Sequence, residues 1–223
     1  MFDATESHFS TIQSADAQAH GNGLDEWQQC YEQLSCGPFE GLLEDLRLGP
    51  VQIFRESANR AVLQCGQPRP GTVSVGFLSQ DAPPGWFCGH SVQGGQAIAA
   101  LDAPEFELYT GAGSRLSAVS VELPVLVQRA AQLSEGEDAW RADLPSRSAV
   151  LEHTGVEHRT LAMHVQEALS LAATSPGWIQ RRPVWRALAD TMIDSMLDCL
   201  ESRRLQTQVM AGAAARRRIF SRA

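Results

Sequence analysis

Lysine is absent: all eighteen basic residues are Arg. That excludes Schiff-base chemistry on a lysine, and it excludes a phosphate-binding loop, which needs one. Long apolar runs are missing too. No stretch approaches the roughly 18 residues of a membrane helix, and Met1-Phe2-Asp3-Ala4-Thr5-Glu6 lacks the basic-then-apolar layout of a signal peptide. The expectation is a cytoplasmic protein that neither spans nor binds a membrane. Cysteine is scarce and unpatterned: Cys30, Cys36, Cys65, Cys88 and Cys199 are odd in number and widely spaced, with no CxxC pair. They read as reduced thiols that mostly pack. A nucleophile-elbow motif is also missing, so nucleophilic catalysis finds no support.

What is present is acid. The net charge of −8 conceals an asymmetry, because residues 216–223 hold four Arg and no acid, leaving fourteen Arg against twenty-six acids, net −12, upstream. A body this acidic repels nucleic acid, so any DNA contact must be supplied from elsewhere. Apolar residues make up 43% of the chain, enough for a folded core.

Residues 1–23 are polar and small, with no period in their apolar positions, and read as a flexible N-terminal arm. Leu24, Trp27, Tyr31 and Leu34 recur at helical spacing, with Asp25 and Glu26 in the first turn and Cys36-Gly37-Pro38 as a stop. From about residue 41 to 123 the pattern turns to short runs broken by Gly, Pro, Asn and Asp. Val73/Val75/Phe77, Phe106/Leu108 and Val119/Val121/Leu123 each alternate with small or polar residues, giving strands with one wet face. Some eight such strands predict a closed sheet with an enclosed pocket. After Pro124 the periodicity is helical near 124–133, near 157–173 and from Pro183 to about Gln208. On the last helix Trp185, Leu188, Met192, Met196, Cys199 and Arg203 form one stripe, which suits either a dimer seam or docking onto the chain's own barrel. Strands followed by helices make an α+β fold.

The stretch Gln33-Leu34-Ser35-Cys36-Gly37-Pro38-Phe39-Glu40-Gly41, followed by Leu46-Arg47-Leu48-Gly49-Pro50-Val51-Gln52-Ile53-Phe54-Arg55-Glu56, resembles the opening of the regulatory domain in AraC/XylS-type transcription regulators. Trp86-Phe87-Cys88-Gly89, Phe106-Glu107-Leu108-Tyr109-Thr110 and Leu116-Ser117-Ala118-Val119-Ser120-Val121 resemble later strands of that domain. The resemblance spans about residues 24–210 and rests on the joint order of diffuse motifs. It implies a cupin-like β-barrel or jelly roll at 24–123 that binds a small-molecule effector and a helical dimerisation region at 124–210. It also implies a basic linker at 211–223 leading to a helix-turn-helix domain that this sequence does not contain. On this reading the protein forms a homodimer, and either the sequence is one piece of a longer regulator that reaches DNA only through that further domain, or the protein lacks that domain and acts as a dimerisation partner.

A cupin metalloenzyme is the enzyme rival, and it needs several His and carboxylate ligands on one side of the barrel. The strand region offers only His90, beside Cys88; His153 and His158 fall outside the barrel and read as surface residues. No metal, cofactor or catalytic residue is expected. A second alternative is a dimerisation module with a solid interior. For effector contacts the candidates are the aromatics Phe54, Phe77, Trp86 and Tyr109. Arg55 and Glu56 are adjacent on a strand, so at most one enters the barrel. Arg55 is favoured as the inward residue, to bind an anionic effector through its planar fork, with Arg60 as the fallback. Trp185, Leu188, Met192, Met196 and Cys199 are the candidates for the dimer seam.

Overall fold

The computed structural model describes residues 7–101, 105–133, 148–151 and 155–201. Two antiparallel sheets and a helical layer stack in that order, an α+β architecture. The seven-stranded sheet runs β1 (Ser7–Ser14), β3 (Gly41–Leu48), β4 (Val51–Ala58), β11 (Arg115–Glu122), β6 (Thr72–Leu78), β9 (Ala97–Leu101) and β12 (Ala149–Leu151). The five-stranded sheet runs β2 (Gln28–Gln33), β5 (Val62–Gln67), β10 (Phe106–Thr110), β7 (Gly85–Phe87) and β8 (His90–Val92). A short helix, α1 (Ala17–Gly21), precedes β2; α2 (Leu123–Leu133), α3 (Val156–Thr174) and α4 (Arg182–Glu201) cover the larger sheet.

The seven-stranded sheet is buried on both faces, and this decides how its sequence is read. Along β4, Val51 and Ile53 pack with Val73, Val75, Phe77, Val119 and Val121 against Leu126 of α2, Leu161, Val165 and Leu169 of α3, and Met192 and Met196 of α4. The other face of the same strands turns toward the five-stranded sheet with smaller or more polar residues: Gln52, Phe54 and Glu56 of β4, Ser74 and Gly76 of β6, Ala118 and Ser120 of β11. The single wet face expected for Val73–Phe77 and Val119–Leu123 is therefore absent, because helices cover one side and the second sheet the other. Strand β10 does keep the expected pattern: Phe106 and Leu108 are buried, while Glu107 and Tyr109 are half-buried on the outer face.

Two elements depart from expectation. Residues 7–14 are a strand rather than a flexible arm, paired with β3 along eight residues from Ser7↔Leu48 to Ser14↔Gly41. Phe9 packs toward the helices and Ile12 toward the second sheet, both only half-buried on this edge strand, so its two apolar residues fall on opposite faces and show no alternation. Asp16 then caps α1, accepting from the Ala19 amide at 2.8 Å. The helix expected after Leu24 is a turn followed by β2. Glu26 sits at φ 67°, a left-handed conformation that a helix interior does not contain, and Gln28–Gln33 pairs with β5. Tyr31 is the one fully buried residue of that strand. A strand with a single large apolar side chain leaves no period of two to read.

Close approach of backbones explains one glycine. A Cβ on Gly66 of β5 would lie 2.1 Å from the Gln28 carbonyl oxygen and 2.7 Å from the Gln29 Cα of β2. The β3–β4 hairpin turns through Gly49-Pro50 with Gly49 at φ 59°. The helices begin where prolines predict them: Pro124 lies in the first turn of α2 and Pro183 in that of α4. Arg129 of α2 forks onto Asp194 of α4 at 2.6 and 2.7 Å. His164 Nδ1 of α3 meets the Ser195 hydroxyl of α4 at 2.8 Å.

The stripe Trp185, Met192, Met196 and Cys199 is buried in this core, with Leu188 half-buried beside it. It docks α4 onto the chain's own sheet and helices, so within the chain these side chains offer no free face for a second copy. Arg203, the basic segment 211–223 and the end of the helix expected to reach Gln208 lie outside the described residues, as does His153. His158, expected on the surface, is buried on α3. The boundaries expected for the barrel are also too narrow, since β1 precedes residue 24 and β12 lies within the region read as helical.

Candidate functional site

Between the two sheets lies a cavity with about 50 Å³ open to the centres of water molecules, room for roughly three or four waters. Its wall is mostly apolar. Trp27, Phe54, Phe87 and Phe106 supply aromatic rings, and Gly76, Ile98, Ala100, Leu108, Leu116 and Ala118 complete the surface. Trp27 stands edge-on to Phe54 and Phe106, with ring centroids 5.3 and 6.1 Å away. Its polar side chains are Gln29, Glu56, Gln64 and Ser74, so Glu56 is the one ionisable group of the wall.

Glu56 is held by the second sheet. The Tyr31 hydroxyl donates to Oε1 at 2.7 Å and the Gln64 amide to Oε2 at 3.4 Å. Burial raises the carboxyl to about 7, against the opposing pull of the two hydrogen bonds. Tyr31 is pushed up as well, first by burial and then by the charge of Glu56. Behind the phenol lies His20 of α1, buried, with its ring 5.8 Å from Tyr31 and 5.7 Å from Phe39. Its Nδ1 has no hydrogen-bond partner, and burial lowers its basicity.

A second polar network starts at the opposite side of the indole. Trp27 Nε1 donates to Gln52 Oε1 at 3.0 Å, and Gln52 Nε2 donates to Asp45 Oδ1 at 2.9 Å. Arg47 is 3.5 Å from Asp45, 3.2 Å from Glu26 and 2.9 Å from the Asp25 carbonyl oxygen. Glu26 also meets Arg69 at 2.8 Å, and Arg69 reaches Glu122 at 2.9 Å. Asp45 is raised by burial, with Arg47 opposing the shift. The network thus runs from the cavity wall to Glu122, the residue immediately before α2.

Of the six residues expected to contact an effector, only Phe54 lines this cavity. Arg55 points to the other face, where it pairs with Glu44 at 3.1 Å. Phe77 packs against the helices. Trp86 is 52% exposed, paired in register with half-buried Tyr109 on the outer face of the five-stranded sheet. Arg60 donates from Nε to the Pro38 carbonyl at 3.0 Å and braces that loop. Strand parity carried the signal for Glu56: with Phe54 inward, Glu56 must follow it and Arg55 cannot. Trp27, Gln29 and Gln64 carried no such signal, since the wall they join exists only after β2 pairs with β5.

A wider groove, about 690 Å³, crosses the end of the seven-stranded sheet and is lined by Gln13, Glu40, Leu42, Ser57, Asn59 and Arg115 among others. It is open to solvent and, unlike the inter-sheet cavity, has no aromatic wall. His90 opens the edge strand β8, and among the described residues no three His, Cys, Asp or Glu side chains stand together as a metal site would require.

The same arrangement of sheets and helices recurs in a solved structure, the AraC-like transcriptional activator CuxR, at TM-score 0.59 over 90% of this chain and 74% of that one, with 12% identity. This chain shares the fold of an AraC-like activator. At that identity the AraC-like likeness is one of fold. A second solved structure, KdgF from Halomonas sp., overlaps 41% of this chain and 84% of its own at TM-score 0.29 and 14% identity, too slight a likeness to bear on fold or function. No protein-family model matches the chain. No helix among the described residues is long and apolar enough to cross a membrane.

Proposed function

We propose that this chain is the effector-sensing regulatory domain of an AraC/XylS-type transcription factor, a small-molecule binding module and not an enzyme. The observation that carries the reading is an aromatic cavity with buried polar groups, lying between the sheets of a fold shared with an AraC-like activator. Among the described residues its wall holds one ionisable group, Glu56, and the Ser74 hydroxyl donates to Ser120 at 2.9 Å rather than to a base. Binding needs only such groups, whereas proton-transfer chemistry needs a matched acid and base.

An effector filling the cavity presses on Trp27, which the buried network joins through Gln52, Asp45, Arg47, Glu26 and Arg69 to Glu122 at the start of α2. Arg129 joins α2 to α4. A ligand that prefers one arrangement of this layer shifts its population, which is the thermodynamic content of effector control. The protein acts in the cytoplasm as a homodimer through a surface other than the buried Trp185–Cys199 stripe, and DNA is contacted by a helix-turn-helix domain.

A thermal-shift screen against small metabolites tests the reading. A saturable rise in melting temperature that is lost in Ala118→Leu, a change that fills the cavity, is the expected result. The small volume favours one second reading, an interaction module with a nearly solid interior. A screen that stays flat, with Ala118→Leu more stable than the parent, would establish that reading instead.

A further inference from the structure

We propose that the cavity takes a small amine, its apolar part among Trp27, Phe54, Phe87 and Phe106 and its ammonium group on the Glu56 carboxylate. The inference rests on the reading of this cavity as the effector site and names the ligand class. Glu56 is the single charged side chain of the wall. Its two partners, the Tyr31 hydroxyl and the Gln64 amide, are both donors, and a carboxylate accepts about four hydrogen bonds. The unfilled acceptor capacity calls for a further donor.

The cations nearest in sequence are committed elsewhere. Arg55 pairs with Glu44 on the far face of the sheet, Arg60 braces the Pro38 loop through its carbonyl, and Arg47 is held by Asp45 and Glu26. Once Glu56 is ionised, above about pH 7, an anionic ligand would meet an uncompensated carboxylate, and a purely apolar one would cover a carboxylate with nothing to neutralise it. An ammonium group neutralises it and gains from the aromatic rings around it. The volume limits the ligand to about three to five non-hydrogen atoms unless the wall moves.

The neighbours of Glu56 make the pairing readable by pH. On its own sheet it stands between Leu43 of β3 and Leu116 of β11; from the other sheet it faces Tyr31 and Gln64. His20 of α1 lies behind Tyr31, outside the cavity wall. Burial lifts the Glu56 carboxyl to about 7, whereas a simple alkylamine stays protonated up to about pH 10, as lysine does. Raising the pH from 6 to 8 therefore ionises the carboxyl without discharging the ligand, and tightens amine binding about tenfold.

The test is a chemical-shift titration of the intact chain with n-propylamine, 1-propanol and propionate at pH 6 and pH 8. Saturable shifts at Trp27 and its neighbours are expected with propylamine, about tenfold tighter at pH 8. The amine preference should vanish in Glu56→Gln. As a second variant, Tyr31→Phe removes a hydrogen bond that favours the ionised carboxyl and should move the midpoint of the pH dependence upward. Propanol or propionate saturating the site as tightly as the amine, or unchanged amine affinity in Glu56→Gln, would overturn the ligand class and leave the cavity reading standing. Binding by none of the three would also overturn the ligand class, and the metabolite screen with Ala118→Leu then decides the cavity reading separately.

Discussion

The Tyr31 hydroxyl donates a 2.7 Å hydrogen bond to Glu56 across the gap between the two sheets. Both groups are buried. This bond joins β2, a strand with little hydrophobic character of its own, to β4 in the middle of the larger sheet, and it leaves a carboxyl at about 7 on the cavity wall.

The raised carboxyl has a definite consequence for stability. The folded chain holds this proton up to about pH 7, while the unfolded chain releases it near the ordinary glutamate value of 4.5. The folded state therefore binds more protons across that window, and stability falls as pH rises from about 4.5 to 7. The cost levels off at about 3 kcal/mol. Urea unfolding of the parent and of Glu56→Gln at pH 5 and pH 8 should show the parent losing about 2.5 kcal/mol more than the variant, since part of the cost is already present at pH 5. Parallel pH profiles for the two would be the contrary result.

Trp27 and Gln52 depend on each other. Trp27→Phe keeps an aromatic wall and leaves the fully buried Gln52 Oε1 without its indole donor. The expected loss is about 1–3 kcal/mol in denaturant titration. Trp27→Phe with Gln52→Leu, which removes both polar partners, should recover part of it, and a double variant no better than the single would speak against the pairing.

Met192→Asp distinguishes a core helix from a dimer seam. Met192 is fully buried within the chain, so a charge there loses packing and hydration together. The variant should unfold or aggregate, with loss of cooperative melting. A well-folded monomer in sedimentation would return the α4 stripe to an interface.

Gly66→Ala places a methyl group where the β2 backbone already lies. The two strands must separate locally, and the melting temperature should fall by several degrees, on the order of 1–3 kcal/mol. The control is Gly71→Ala: Gly71 has positive φ but nothing within 4 Å of the added Cβ, so it should lose less.

Periodicity and turn chemistry in the sequence determined the run of strands from β3 to β11, the α+β order and the starts of the C-terminal helices. The acidic body and the missing lysines limited the chemistry as well. Those signals are local, arising from a few neighbouring residues. Tertiary structure alone decided that Ser7–Ser14 and Gln28–Gln33 are strands, because their stabilising partners, β3 and β5, are distant in the chain. It also decided which face of β4 and β6 meets the cavity. A sheet covered on both sides has no wet face to orient its strands, so which of Phe77 and Ser74 meets the cavity depends on which layer packs where. The site residues follow from that choice: Glu56 enters the cavity because Phe54 does, and Arg55 is excluded by the same pleat.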